Sequence, residues 1–140
     1  MKSPLFFGLA STLIINFCAL AQNDTAAPSS TIPQPQKTCK LDSIVFGTGV
    51  EQRAPQGVAA TFDSSARKIF CWTKLSISAA PYSVKHVWYR GDEKVAEIPL
   101  RLRYASGRLW SYKTVTSGQW KVDVVGENDS IIGSASFTAR

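Results

Sequence analysis

One histidine and three cysteines set the limits of this chain's chemistry. His86 alone carries a side chain whose ordinary pKa lies near neutrality. To act as a general base it needs a positioned partner. No nucleophile or carboxylate stands at a recognisable motif spacing from it. On an alternating strand such a residue reads first as a core or rim histidine bonded to backbone, and second as a ligand-binding group. Ser111 and Lys113 lie two apart on one strand face, in the order of a Ser–Lys dyad. A lysine base must be desolvated, and Lys113 precedes a polar turn. Asp92, Glu93, Glu97, Asp123, Glu127 and Asp129 are scattered, mostly in turns, and form no glycosidase pair by spacing. Zinc needs three or four His, Cys or carboxylate ligands. The sequence therefore predicts no catalytic residues, no metal site and no cofactor, and it has no phosphate-binding glycine loop.

Recognition chemistry is better represented than reaction chemistry. The formal net charge is +6. Lys74, Lys85, Arg90, Arg101, Arg103, Arg108, Lys113 and Lys121 occupy outward strand positions, interleaved with aromatic residues. Arg108, Trp110 and Tyr112 share one face and could form a half-exposed platform. Their ordinary reading is a packed strand with an arginine laid along it. Trp88 and Trp120 stand with valines and read as core; Trp72 is ambiguous. The residues taken as a binding surface are Arg101, Arg103, Arg108, Trp110, Tyr112 and His86. Basic residues among aromatics also suit single-stranded nucleic acid, but an export signal argues against that partner. An envelope protein or an anionic polymer fits better, with carbohydrate as the alternative.

Two cysteines, Cys39 and Cys71, follow the export signal. In an oxidising compartment they are expected to form one disulfide. Closing a loop of roughly 32 residues stabilises by about 3.5 kcal/mol in the chain-entropy picture. The alternative is a buried free Cys71 and an exposed Cys39.

Residues 1–21 read as a secretory signal peptide. Lys2 gives the positive start, residues 5–20 the apolar run, and Ala19-Leu20-Ala21 the cleavage site. The run is short of the roughly 20 residues a membrane-spanning helix needs, so no transmembrane anchor is expected after cleavage. Phe17 is too large for the position before a lipidated Cys18. Residues 22–39 form a Pro/Ser-rich tether with almost no large apolar side chains, expected to be disordered. Residues 40–140 form the folded domain, secreted or periplasmic.

The elements that must position these residues are strands. Period-two alternation recurs and no long stretch has a helical repeat. The pattern predicts strands over 41–48, 57–62 (weakly), 68–76, 84–90, 95–104, 109–113, 120–124 and 131–138. Ile69, Cys71, Thr73 and Leu75 share a face opposite Phe70 and Trp72. Val84, His86 and Trp88 share another, and Leu100, Leu102 and Tyr104 a third. Pro99 has no amide donor and marks an edge or a bulge. The expected fold is all-β, an immunoglobulin-like β-sandwich of about seven to eight short strands, with a small β-barrel as the alternative.

Several of these pieces together resemble a known family. They are Phe70-Cys71-Trp72-Thr73, His86-Val87-Trp88-Tyr89, Arg108-Leu109-Trp110-Ser111, Gly118-Gln119-Trp120-Lys121-Val122-Asp123-Val124 and Phe137, preceded by Arg53-Ala54-Pro55 and Phe62. The order resembles the bacterial family named domain of unknown function 2914, over roughly residues 41–139. At the last hairpin Glu127-Asn128-Asp129-Ser130 departs from the usual Asp-x-x-Gly turn. The resemblance implies an all-β domain of bacterial envelope or secreted proteins and no particular reaction. The expectation is a non-catalytic binding or interaction module of the cell envelope. A carbohydrate-binding module is the alternative, and a small hydrolase using His86 the more distant one.

Overall fold

The computed structural model describes residues 32–140. The stretch read as a signal peptide and most of the expected tether, through residue 31, lie outside the described residues. Ten strands follow in order: β1 (Cys39–Gly47), β2 (Gly49–Glu51), β3 (Ala54–Gln56), β4 (Thr61–Phe62), β5 (Lys68–Ile77), β6 (Tyr82–Arg90), β7 (Glu93–Leu102), β8 (Ser106–Thr114), β9 (Gly118–Val125) and β10 (Ile131–Ala139). They form three open sheets, ordered β1-β5-β8, β4-β10-β9-β6-β7, and the hairpin β2-β3. The fold is all-β, with ten strands rather than seven or eight, and no sheet closes into a barrel.

Alternation decides which side chains meet. Along β5, Ile69, Cys71 and Leu75 are fully buried with Thr73. Along β6, Val84, His86 and Trp88 are buried, and β9 adds Trp120, Val122 and Val124. A main cluster joins Phe46, Ile69 and Cys71 of the three-stranded sheet to Trp88, Trp120, Val122 and Phe137 of the five-stranded one. Trp120 stacks on Phe137 with the rings 7° from parallel, and Phe46 and Phe62 meet Phe137 at steeper angles. Removing so much aromatic area from water is the main stabilising term in a domain of this size.

Three expectations change. Tyr104 does not continue the apolar face of β7; it lies beyond the strand's end at Leu102 and is 77% exposed. Of the weak strand expected over 57–62, only Thr61–Phe62 pairs, parallel to the end of β10. The hairpin β2-β3 gave no sign in the sequence. Its two loop residues, Gln52 and Arg53, have φ of 48° and 63°. Such two-residue loops ordinarily carry Asn-Gly or Asp-Gly, because both positions need positive φ. Here the packing holds two unfavourable residues in place: the Trp72 indole donates to the Arg53 carbonyl at 2.9 Å, and Gly47 leaves room for the Gln56 carbonyl.

The expected disulfide is absent. Cys39 and Cys71 are free thiols. The register explains why: Cys39 sits opposite Ile77, whereas Cys71 sits opposite Phe46. Ile77 and Cys71 are six positions apart on β5, roughly 20 Å at strand rise, and a bridge needs Cα atoms within about 7 Å. Burial pushes the Cys71 thiol up, and Cys39 is raised to about 11, mainly by burial and then by Asp42 and Glu127.

Two outcomes follow from this packing. Replacing Gln52-Arg53 by Asn-Gly relieves the positive-φ cost and is expected to stabilise by about 1 kcal/mol, measured as a rise in the urea midpoint. Under native, unreduced conditions the mature protein should titrate as two thiols in total once unfolded, with Cys71 unreactive until unfolding; one disulfide by intact mass would contradict the register.

Candidate functional site

Two groups of residues stand out, on opposite faces of β8. The inward group is a polar chain through the core. The Trp88 indole donates to Ser111 Oγ at 3.1 Å. Ser111 Oγ lies 2.8 Å from His86 Nδ1, and His86 Nε2 lies 3.3 Å from Thr73 Oγ1. Thr73 donates its hydroxyl hydrogen to the Leu109 carbonyl at 3.0 Å. Thr73 has one hydrogen, so towards His86 it can only accept. His86 therefore carries its proton on Nε2, and Ser111 donates to the bare Nδ1. Every hydrogen in the chain runs one way, from Trp88 to Leu109.

This arrangement brings together a hydroxyl and an imidazole that the sequence could not connect, since 25 residues separate them. Ser111 meets His86 rather than Lys113. His86 is fully buried, not set at a binding surface, and its partners are side-chain hydroxyls rather than backbone. No carboxylate is among its hydrogen-bond partners. Burial lowers its pKa from 6.5 to about 4. Such an imidazole is a weak base near neutrality. Among the described residues no three His, Cys, Asp or Glu side chains are grouped to hold a metal ion.

The outward group lies across β5 and β8. The register sets Phe70 opposite Tyr112, Trp72 opposite Trp110, and Lys74 opposite Arg108. Along β5 the outward positions read Lys68, Phe70, Trp72, Lys74: cation, ring, ring, cation. Tyr112 is 51% exposed. Its ring lies 5.3 Å from Phe70 at 43°, with the Lys68 ammonium 5.2 Å above it. Trp72 is largely covered, and Trp110 is half-buried. Of the residues anticipated from sequence, Arg108, Trp110 and Tyr112 do meet. Arg101 lies on the five-stranded sheet, opposite Ser83. Arg103 lies past the end of β7. Phe70, Trp72, Lys68 and Lys74 were the missed members; their period-two spacing on β5 was the available signal.

Ion pairing differs in part between the two sheets: Arg90 and Arg101 of the five-stranded sheet are in no ion pair of the described residues, and on the three-stranded sheet Lys40 meets Asp42 at 3.7 Å. On the five-stranded sheet, Lys85 contacts Glu97 at 2.9 Å and Asp129 at 3.0 Å, Lys94 contacts Glu97 at 2.7 Å, and Lys121 contacts Asp123 at 3.4 Å. Hydrogen bonds from Lys94 and Lys85 hold Glu97 down to about 2. Among the described residues, no ion pair involves Lys68, Lys74, Arg108 or Lys113. A groove of about 470 Å³ adjoins this face, where Trp110, Ser111, Tyr112 and Lys113 of β8 come near Ala96 and Ile98 of β7.

The polar chain makes a pH prediction. His86 has a folded pKa below its unfolded value, so the unfolded state binds the extra proton. Its contribution is complete above pH 6.5, is lost as pH falls, and levels off below about pH 4. The loss over that window is about 3 kcal/mol, read from urea midpoints. Ser111→Ala leaves His86 Nδ1 and the Trp88 indole without a partner and should cost about 1–3 kcal/mol at pH 7. The acid loss from Glu97 falls in a lower window, so the two are separable.

Residues 81–139, which form β6 to β10, match the family model described as Protein of unknown function (DUF2914). His86-Val87-Trp88-Tyr89, Arg108-Leu109-Trp110-Ser111, the Gly118 to Val124 motif and Phe137 all fall inside that stretch; Arg53-Ala54-Pro55, Phe62 and the Phe70 to Thr73 motif precede it. No curated protein matches the chain. The strands that supply His86, Trp88 and Ser111 to the core, and Trp110 and Tyr112 to the surface, thus lie in the part of the chain, residues 81–139, that is a domain of the DUF2914 family.

Proposed function

We propose that this protein is an exported, non-catalytic binding module of the bacterial envelope, and that it engages an anionic partner through the outer face of β5 and β8. The carrying observation is a group of cations set beside aromatic rings on β5 and β8 that no ion pair of the described residues neutralises. The lysines on the outside of the five-stranded sheet are neutralised by carboxylates 2.7–3.4 Å away. Lys68, Lys74 and Arg108 surround aromatic rings, with no acidic partner among the described residues. Unpaired cations at the two ends of an aromatic strip attract an extended anion, and the rings add contact area. Lys68 and Lys74 stand six residues apart, roughly 20 Å, a span suited to a polymer rather than a single small ion.

Carbohydrate stacking comes second. It favours coplanar exposed rings, and Phe70 and Tyr112 are tilted by 43°. A hydrolase centred on His86 is third. Its support is the 2.8 Å Ser111–His86 contact, set against a lowered pKa and the lack of a carboxylate on the other nitrogen. The same reading takes the fold as an immunoglobulin-like sandwich. The antiparallel three-stranded sheet, the five-stranded sheet antiparallel except where β4 joins β10, the shared core cluster and the Greek-key strand order support it. The signal-peptide pattern supports a periplasmic or secreted location.

Dextran sulfate serves as a polyanionic probe and uncharged dextran as its control. The mature protein should bind only the former, with an affinity that weakens as salt rises. The exposed pair Lys74→Glu with Arg108→Glu should weaken binding at least tenfold, whereas Arg101→Glu on the other sheet should leave it within about twofold. Equal affinity for the double variant and the wild type would remove the assignment.

A further inference from the structure

Among the described residues, one long sheet edge lacks the proline, bulge or shortening that the others carry. On the five-stranded sheet, β4 is two residues long and β7 carries Pro99 and the paired charges Lys94 and Glu97. The β6–β7 register also shifts at Trp88/Tyr89. On the three-stranded sheet, β1 has a register shift between Leu41 and Ser43, and the β2-β3 hairpin lies beside it. These are the ordinary devices that stop edge-to-edge association. The remaining edge, β8, is neither short nor bulged, and the cations Arg108 and Lys113 are its one such feature. It is nine residues long, contains no proline, and pairs with β5 over its length without a register shift. Among the described residues, no strand pairs with its other side. The groove of about 470 Å³ runs beside it.

We infer that β8 is a strand-addition site, and that its occupant is an extended acidic polypeptide segment that joins the three-stranded sheet as a fourth strand. This deepens the proposed function and rests on it. Backbone groups on the free side of β8 supply the ladder, which any extended peptide can use. Charge selects among peptides. Arg108 and Lys113 lie on β8 itself, Lys68 and Lys74 on the neighbouring strand, and none is in an ion pair among the described residues. Trp110 and Tyr112 point to the outer face, where they would lie beside alternate side chains of the added strand. The groove volume accommodates roughly three to four extended residues at the strand spacing of about 4.8 Å.

A second copy of this chain fits the edge poorly. It would bring the same cations, Arg108 and Lys113 of β8 with Lys68 and Lys74 of β5, alongside their own counterparts, like charge beside like, which is unfavourable. An acidic strand removes that conflict.

The test uses an eight-residue peptide of alternating Glu and Val, and two versions of it N-methylated on alternate amides, one on the odd residues and one on the even. A strand directs alternate amides to opposite sides. One methylated version should therefore lose binding at least tenfold, while the other stays within about threefold of the parent. Arg108→Glu should weaken the parent peptide at least tenfold. Equal binding of both methylated versions would overturn strand addition. So would dextran sulfate binding with no peptide binding, and in both cases the charge-based reading would stand. Failure of peptide and dextran sulfate alike would overturn both readings. A dimer at micromolar concentration in sedimentation, broken by a proline at Leu109, would assign the edge to a second copy and overturn the acidic-peptide proposal.

Discussion

The structure depends on one line of hydrogen bonds that crosses its interior. Trp88 and His86 come from the five-stranded sheet, Ser111 and Thr73 from the three-stranded one. Apolar side chains attract without preferred orientation, so a core of rings and branched chains alone tolerates sliding of one sheet over the other. A polar chain does not. If the sheets slide by one residue pair, buried nitrogens and hydroxyls lose partners, and each orphaned group costs about 1–3 kcal/mol. The chain is satisfied at every atom, and no buried side-chain N or O of the described residues lacks a partner. Its contribution is therefore less a gain in affinity between the sheets than a penalty on every other offset.

The direction of the chain matters as much as its completeness. Protonating His86 adds a donor at Nδ1, facing an Oγ that already accepts from Trp88. Ser111 would then have to turn its own hydrogen away and give up its bond to the imidazole. The imidazolium would also stand in a nonpolar interior with no carboxylate as a hydrogen-bond partner. Desolvation and hydrogen-bond direction thus oppose the charge together, and the neutral tautomer is the one state that suits every member. The feature that makes this Ser–His pair a good joint between sheets is the one that makes the imidazole a poor proton acceptor.

Much of the scaffold was legible because strands announce themselves locally. Ile69, Cys71, Thr73 and Leu75 alternate with Phe70, Trp72 and Lys74, and the faces so defined are those observed. What failed was whatever depends on residues far apart or on backbone held by packing. Gln52-Arg53 is a tight turn without turn residues, fixed by Trp72 from nineteen positions away. The cysteines looked like a pair by count and compartment, yet their register places them at different heights of one strand pair. Ser111 was considered beside Lys113, its neighbour in sequence, whereas its partner is His86 on the facing sheet. The surface was half legible: Arg108, Trp110 and Tyr112 could be read from one strand, but Phe70 and Lys74 joined them only when the β5–β8 register was known. Arg101 and Arg103 were grouped with them by closeness in sequence, and the chain leaves the five-stranded sheet between Leu102 and Ser106.

Core and surface are coupled through β8, because strand side chains alternate with a period of two. Leu109 and Ser111 point inward; Arg108, Trp110 and Tyr112 point outward. A slip of one residue would exchange the two sets. Ser111 would face solvent, Trp110 would enter the core, and the ring-and-cation strip would vanish. The hydrogen bonds of Ser111 to His86 and Trp88 forbid that slip. They also explain why β8 can leave its free edge bare: a strand held on one side by β5 and beneath by a buried polar joint keeps its register without a neighbour on the other side. Elsewhere the edges carry bulges, proline or ion pairs. At β8 the restraint lies in the interior, and the backbone edge stays open.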